Sequence, residues 1–220
     1  MKTIELQDEE SWEIIIDDPT EKTKYTFSDK VYTKLETIFV FDLTNSAIDY
    51  PLVEGPFLNV PNLKALCFSG QGCRLVIQSL IENGILAPIL ESISFDSTQL
   101  RQFPNFIQEI KTLKYLSFRH EKISGLPPGL FDLINLQALQ FQYDSGISVL
   151  PDEIKNLVNL VQFDLWGVTL EYLSPELFLL PKIQSINFAY SSYQPKKEVL
   201  NALKVFTKKG INRFSRWREY

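Results

Sequence analysis

The sequence predicts an α/β solenoid: a curved parallel β-sheet of short strands on the concave face, with helical or 3-10 returns on the convex face. Three observations predict it. An apolar triplet of the form L-x-x-L-x-F recurs six times, with first members 27, 23, 23, 24 and 23 residues apart. Prolines recur at one place between the triplets, at Pro104, Pro127 and Pro151, with Pro175 displaced by one. Thirty leucines stand against nine glycines in 220 residues, a lean toward one apolar residue that points to internal repetition.

Taken in chain order, residues 1–34 hold nine acidic and five basic residues and the β-prone pieces Trp12 to Ile16 and Tyr25 to Phe27. They are expected to form an N-terminal cap of strands, because a stacked array exposes core at its ends. Residues 35–193 carry the repeats. A weak copy, Leu35/Ile38/Val40, precedes Leu63/Leu66/Phe68, Leu90/Ile93/Phe95, Leu113/Leu116/Phe118, Leu136/Leu139/Phe141, Leu160/Phe163/Leu165 and Ile183/Ile186/Phe188, about seven units in all. The last two members of each triplet alternate with polar neighbours, the mark of a short strand with one buried face. Residues such as Ile123, Leu126, Leu130 and Leu133 follow at intervals of three to four, which suits a helical or 3-10 return. The long unit after Leu63 is expected to hold a true helix from about Arg74 to Asn83, stopped by Gly84. Where Leu165 replaces the recurring Phe, Phe163 replaces Leu or Ile, a swap that keeps volume in a packed column. Residues 194–220 are expected to form a helical cap: Pro195 opens it, Val199, Leu200, Leu203 and Phe206 share one face, and Gly210 closes it. Phe214, Trp217 and Tyr220 would complete the cover, and the whole would be one structural domain.

The pattern LxxLxF followed by I/LxxLPxxI/LxxL, read in Leu113 to Leu133 and Leu136 to Leu157, resembles the leucine-rich repeat, in its short class of about 23 residues with an LPxxI return. The resemblance covers about residues 35–193. It implies a curved solenoid that serves as a protein-binding surface. The family's Asn or Cys just after the strand is absent: the positions read Gln71, Thr98, Glu121, Asp144 or Ser145, Val168 and Ser191. The buried asparagine ladder therefore cannot form, other partners must satisfy the turn backbone, and less regular loops are expected there.

Composition narrows the function. A net charge of −5 and a lone histidine, His120, argue against nucleic acid and against a multi-histidine metal site. No cofactor motif or phosphate loop is present in the glycine spacing, and the acidic Asp8 to Glu10 cluster lacks a calcium-loop pattern. The first 18 residues lack a signal-peptide core, no stretch reaches membrane-helix length, and Cys67 and Cys73 read as reduced thiols. A cytoplasmic, monomeric, non-enzymatic scaffold is expected.

The binding surface should lie on the exposed strand positions and the two residues after each strand. The residues assigned to it are Asp96, Tyr115, Arg119, His120, Gln140, Gln142, Tyr143, Asp164, Trp166, Asn187 and Tyr190. Two columns are expected. One runs Asp96, Arg119, Gln142, Trp166, and the other Ser97, His120, Tyr143, Gly167, Tyr190. Trp, Tyr and Arg dominate interface energy because they join large apolar area to directional polar groups. A bland alternative has Asp96 pair with Arg119 while the rings merely cover the sheet. Two further alternatives are a small hydrolase built on Ser97 and His120 with Asp144 or Asp164, and an anionic partner for segment 194–220, with its eight basic and two acidic residues. The bland reading of that charge is a helix C-terminus, where Lys208 and Lys209 are favoured.

Overall fold

The computed structural model describes residues 2–5, 9–16, 23–26, 31–42, 53–54, 60–143, 146–191, 193, 196–208 and 213–215. The chain divides into two compact units, residues 1–99 with 104–112, and residues 100–103 with 113–220.

In the first unit, strands β1 (Lys2–Glu5), β2 (Ser11–Ile16), β3 (Thr23–Thr26), β4 (Thr37–Asp42), β5 (Val53–Glu54), β6 (Ala65–Ser69) and β7 (Ser92–Asp96) form two sheets. β2, β4, β6 and β7 pair in parallel, with Val40 opposite Phe68 and Phe68 opposite Phe95. β1, β3 and β5 form a smaller parallel sheet. Helix α1 spans Arg74–Asn83 and ends at Gly84, whose φ of 75° is open to a residue without Cβ. Of the stop signals in this unit, that glycine was the most legible.

The second unit contains β8 (Tyr115–Arg119), β9 (Ala138–Gln142), β10 (Val149–Leu150), β11 (Gln162–Asp164), β12 (Tyr172–Leu173), β13 (Ser185–Asn187), helix α2 (Lys197–Lys208) and β14 (Arg213–Ser215). Strands β8, β9, β11, β13 and β14 pair in that order, all parallel. β10 and β12 form a separate two-residue ladder, too short to show alternation in the sequence.

Each triplet lies in or beside a strand with its members buried. Phe118 and Phe141, opposite one another, stack at 5.5 Å with rings 2° from parallel, and in the first unit Phe68 and Phe95 stack at 5.5 Å. Phe163 and Leu165 are both fully buried, so the exchanged pair fills the same column as its neighbours. This repeated strand, turn and return is the leucine-rich repeat fold.

The returns are 3-10 turns at Asn105–Glu109, Pro128–Asp132, Asp152–Asn156 and Pro175–Leu179. A repeat of this length leaves one short segment between proline and the next strand, and a single 3-10 turn, with its greater rise per residue, spans part of it. Pro104, Pro127 and Pro151 immediately precede their turns, with φ of −67°, −72° and −80° close to the value the pyrrolidine ring imposes. The displaced proline has a reason: Ser174 takes the capping position, its Oγ accepts from Glu176 N–H at 3.2 Å, and Pro175 becomes the first helical residue.

The missing asparagine ladder is replaced in two ways. After the strands, the Glu121 carboxylate accepts from Leu100 N–H at 2.7 Å, Ser191 Oγ donates to the Leu165 carbonyl, and Cys73 Sγ donates to the carbonyls of Val40 and Ser69. Before the strands, polar residues one position ahead of the triplet tie one repeat to the last: Asn62 Nδ2 to Thr33 O, Thr112 Oγ1 to Leu90 O, Asn159 Nδ2 to Ile134 O. Asp144 and Ser145 lie outside the described residues.

Helix α2 packs on the Pro175–Leu179 return. Val199 and Ala202 are buried and Leu203 half-buried, whereas Leu200, expected on that face, is exposed because it lies one step round the helix from Val199. Among the described residues no helix is long and apolar enough to cross a membrane. Phe27, Pro195, Lys209, Gly210, Trp217 and Tyr220 lie outside the described residues, as do the side chains of Trp12, Phe206, Lys208 and Phe214.

Candidate functional site

The site begins with backbone geometry. The second residue after each of the six full triplets has a positive φ: Gly70 at 92° and Ser97 at 58° in the first unit, His120 at 54°, Tyr143 at 55°, Gly167 at 73° and Tyr190 at 60° in the second. The loops expected to be irregular thus share one conformation. Its use is visible in the hydrogen bonds, because it turns the N–H sideways to the next repeat. His120 N–H donates to Gln142 O at 2.8 Å, Tyr143 N–H to Trp166 O at 2.7 Å, and Gly167 N–H to Ala189 O at 3.0 Å. In the first unit Gly70 N–H donates to Asp96 O at 2.9 Å. Such a conformation costs a residue with a Cβ about 1–2 kcal/mol, and glycine far less.

Three of the four positions in the second unit nevertheless carry rings. His120 and Tyr143 stack at 4.9 Å with planes 3° apart, Tyr143 meets Trp166 at 5.6 Å and 36°, and Trp166 meets Tyr190 at 5.9 Å and 24°. The result is one continuous row of four rings. It corrects the two-column reading: Trp166, assigned to the column of Arg119 and Gln142, supplies the ring that Gly167 lacks. Gly167 itself was not assigned to the site, although in the second unit it is the one glycine among His and Tyr at the equivalent positions, which was the available signal. A Cβ there would lie 2.8 Å from Tyr143 Cδ1, so the Tyr143 ring occupies that space.

Two polar side chains shape the loops. Asp164 Oδ1 accepts from Trp166 N–H at 2.9 Å, and Asn187 Oδ1 accepts from Ala189 N–H at 3.0 Å, both turns in which an Asx side chain stands in for a backbone acceptor. Asp164 Oδ2 also accepts from Gln142 Nε2 at 2.7 Å. Asp164 was expected on the exposed surface and is only 5% exposed. It orients the row from beneath.

The other assigned residues are placed as follows. Tyr115 and Arg119 are exposed at the two ends of β8, and the half-buried Gln140 and Gln142 lie opposite Ser117 and Arg119. Tyr190 is 61% and Tyr143 43% exposed, while Trp166, expected to be fully open, is half-buried between them. Asp96 belongs to the first unit, where its carboxylate accepts from Ser97 Oγ at 2.9 Å. The proposed hydrolytic set is dispersed into other contacts: Ser97 bonds Asp96, Asp164 serves Trp166 and Gln142, and His120 stacks on Tyr143. Among the described residues no group of three His, Cys, Asp or Glu side chains could hold a metal ion.

No family model matches the sequence, and no curated protein matches it. Among solved structures, the chain is similar to a leucine-rich repeat protein of Leptospira interrogans, at 18% identity and a TM-score of 0.44. The match covers 88% of this chain and 58% of that one, so this chain spans little more than half of its length.

Proposed function

We propose that the chain is a non-enzymatic interaction module that holds a protein or peptide against the open face of its second unit, along the row His120, Tyr143, Trp166, Tyr190 and beside Arg119. One observation carries this reading: three bulky residues occupy backbone conformations that glycine adopts freely, and their rings are aligned rather than scattered. Backbone strain retained in this way points to a use for the side chain. Tyr, Trp and Arg are also the residues that concentrate binding energy at interfaces. The leucine-rich repeat fold supports the same reading, since its open strand face leaves a broad surface free. The reduced state of Cys67 and Cys73 suits a cytoplasmic setting.

The test is affinity capture from the native cell extract with the intact chain, the Arg119→Ala/Trp166→Ala double variant, and a control altered on the return side at Val158→Ser. Specific partners retained by the intact chain and the control, and lost by the double variant with unfolding nearly unchanged, support the face. Equal capture by all three removes it.

A further inference from the structure

Two strands are paired on one side only. In the first unit β2 bonds to β4, and in the second β14 bonds to β13, with no other strand beside either among the described residues. An open strand edge is a template for a further strand. The ladders show which groups each edge leaves free. The Glu10 carbonyl accepts from Glu36 N–H at 2.8 Å and from Thr37 N–H at 3.3 Å, so by alternation the backbone of Ser11, Glu13 and Ile15 faces away from β4. Ser185 N–H donates to Val161 O at 3.1 Å, which turns the backbone of Ile186 toward β14 and leaves the N–H and C=O of Phe214 on the open side.

The charge around these two edges is opposite and unmixed. Residues 3–21, which contain β2, hold eight acidic residues and no basic one, whereas residues 199–218, which contain β14, hold six basic and no acidic one. Pairing β2 with β2 of a second copy would set acid against acid, and β14 with β14 base against base, so both symmetric contacts are repulsive. Only β2 against β14 joins opposite charges.

We propose that the occupant of these edges is a second copy of this chain, β14 of one copy pairing in parallel with β2 of the next. The register follows from rows already present. Trp12 lies opposite Ile38 and Phe214 opposite Ile186, both second members of their triplets, so Trp12 and Phe214 hold equivalent places in the ladder. Opposed in that register, Phe214 N–H donates to Ser11 O and Glu13 N–H donates to Phe214 O, the groups that each edge leaves free. Arg213 then stands one diagonal step from the exposed Glu13, at a position of the same face. Counted along the sequence, Lys209 aligns with Gln7, beside Asp8, and Arg218 with Ile16, beside Asp17. The contact is head to tail, so each pair keeps one edge of either kind for further copies. The ring row takes no part in it.

Sedimentation velocity on the full chain should show association that grows with concentration at low salt and weakens as salt is raised. Glu13→Lys and Arg213→Glu each set like charges across the contact and should weaken association roughly tenfold or more. An equimolar mixture of the two variants should recover it, because each supplies the intact edge that the other lacks. Unchanged unfolding midpoints separate lost pairing from lost fold. A second measurement needs no variant: a mixture of isotopically light and heavy chains, treated with a carbodiimide, should give mixed-isotope cross-links from the acids of residues 3–21 to Lys204, Lys208 or Lys209. A chain that stays monomeric at low salt, association untouched by Arg213→Glu, or no mixed-isotope cross-link between the two segments overturns the proposal. The first of these outcomes would return the basic segment to an anionic partner.

Discussion

The ring of Tyr143 rests on the backbone of Gly167, so closely that a Cβ at Gly167 would come within 2.8 Å of Tyr143 Cδ1. Gly167 also has a φ of 73°. Two separate costs therefore oppose a side chain there, one steric and one conformational. Gly167→Ala should destabilise the chain by about 1–3 kcal/mol in urea unfolding, within the range for alanine forced to positive φ with a clash added. In a Tyr143→Ala background the clash disappears and the same substitution should cost measurably less. Equal costs in both backgrounds would show that the ring is not what Gly167 accommodates.

Tyr143 offers the converse test. Tyr143→Gly removes the strain of a positive φ and also removes two ring contacts, worth roughly 0.5–1.5 kcal/mol each. The two effects oppose, so stability should change modestly, between about 1 kcal/mol gained and about 2 kcal/mol lost. Partner capture should nevertheless be lost. A large drop in stability accompanying the loss would assign the rings to holding the sheet instead.

The repeat was legible because its signal is redundant. The boundaries of α1 and the positions of the prolines could be read because Gly84 and the fixed φ of proline act locally, within one or two residues. The exposed rings of His120, Tyr143 and Tyr190 could be placed for the same reason, as residues at one fixed distance beyond a buried phenylalanine. What could not be read depended on side chains reaching across repeats. Asp164 and an exposed carboxylate look alike in sequence, and only the turn geometry shows that its oxygens serve Trp166 and Gln142. Asn62, Thr112 and Asn159 replace the absent ladder from the opposite turn, where the family pattern does not direct attention.

Core and site should separate cleanly. Phe118 is fully buried, stacks on Phe141 at 5.5 Å and meets Phe103 at 5.4 Å. Phe118→Ala should cost about 3–5 kcal/mol through lost burial and the cavity left behind. Arg119→Ala, one residue later and exposed, should cost within about 0.5 kcal/mol while weakening partner capture. Denaturant midpoints of the two variants measure the contrast directly. Similar losses for both would mean that Arg119 is part of the packing.

Acid should loosen one particular staple between returns. Asp152 Oδ1 accepts from Tyr172 O–H and from Ser174 Oγ, each at 2.7 Å, and the latter caps the Pro175–Leu179 turn. The hydrogen bond from Ser174, then that from Tyr172, hold the Asp152 carboxyl below its ordinary value of 3.8. The same bond from the other side raises Tyr172 above 10.0. A carboxyl lowered on folding contributes stability above its unfolded pKa and loses it as pH falls through the folded one. A phenol raised on folding contributes below its unfolded pKa and loses it as pH rises through the folded one. Asp152→Asn should therefore be less stable than the parent at pH 7, and the gap should begin to close near pH 4 and shrink further below it. Tyr172→Phe should lose the alkaline dependence and leave the remaining acid dependence to Ser174. Urea midpoints across pH measure both, and a gap between parent and Asp152→Asn that persists unchanged to pH 2 would show that the carboxylate is not the group that acid disarms.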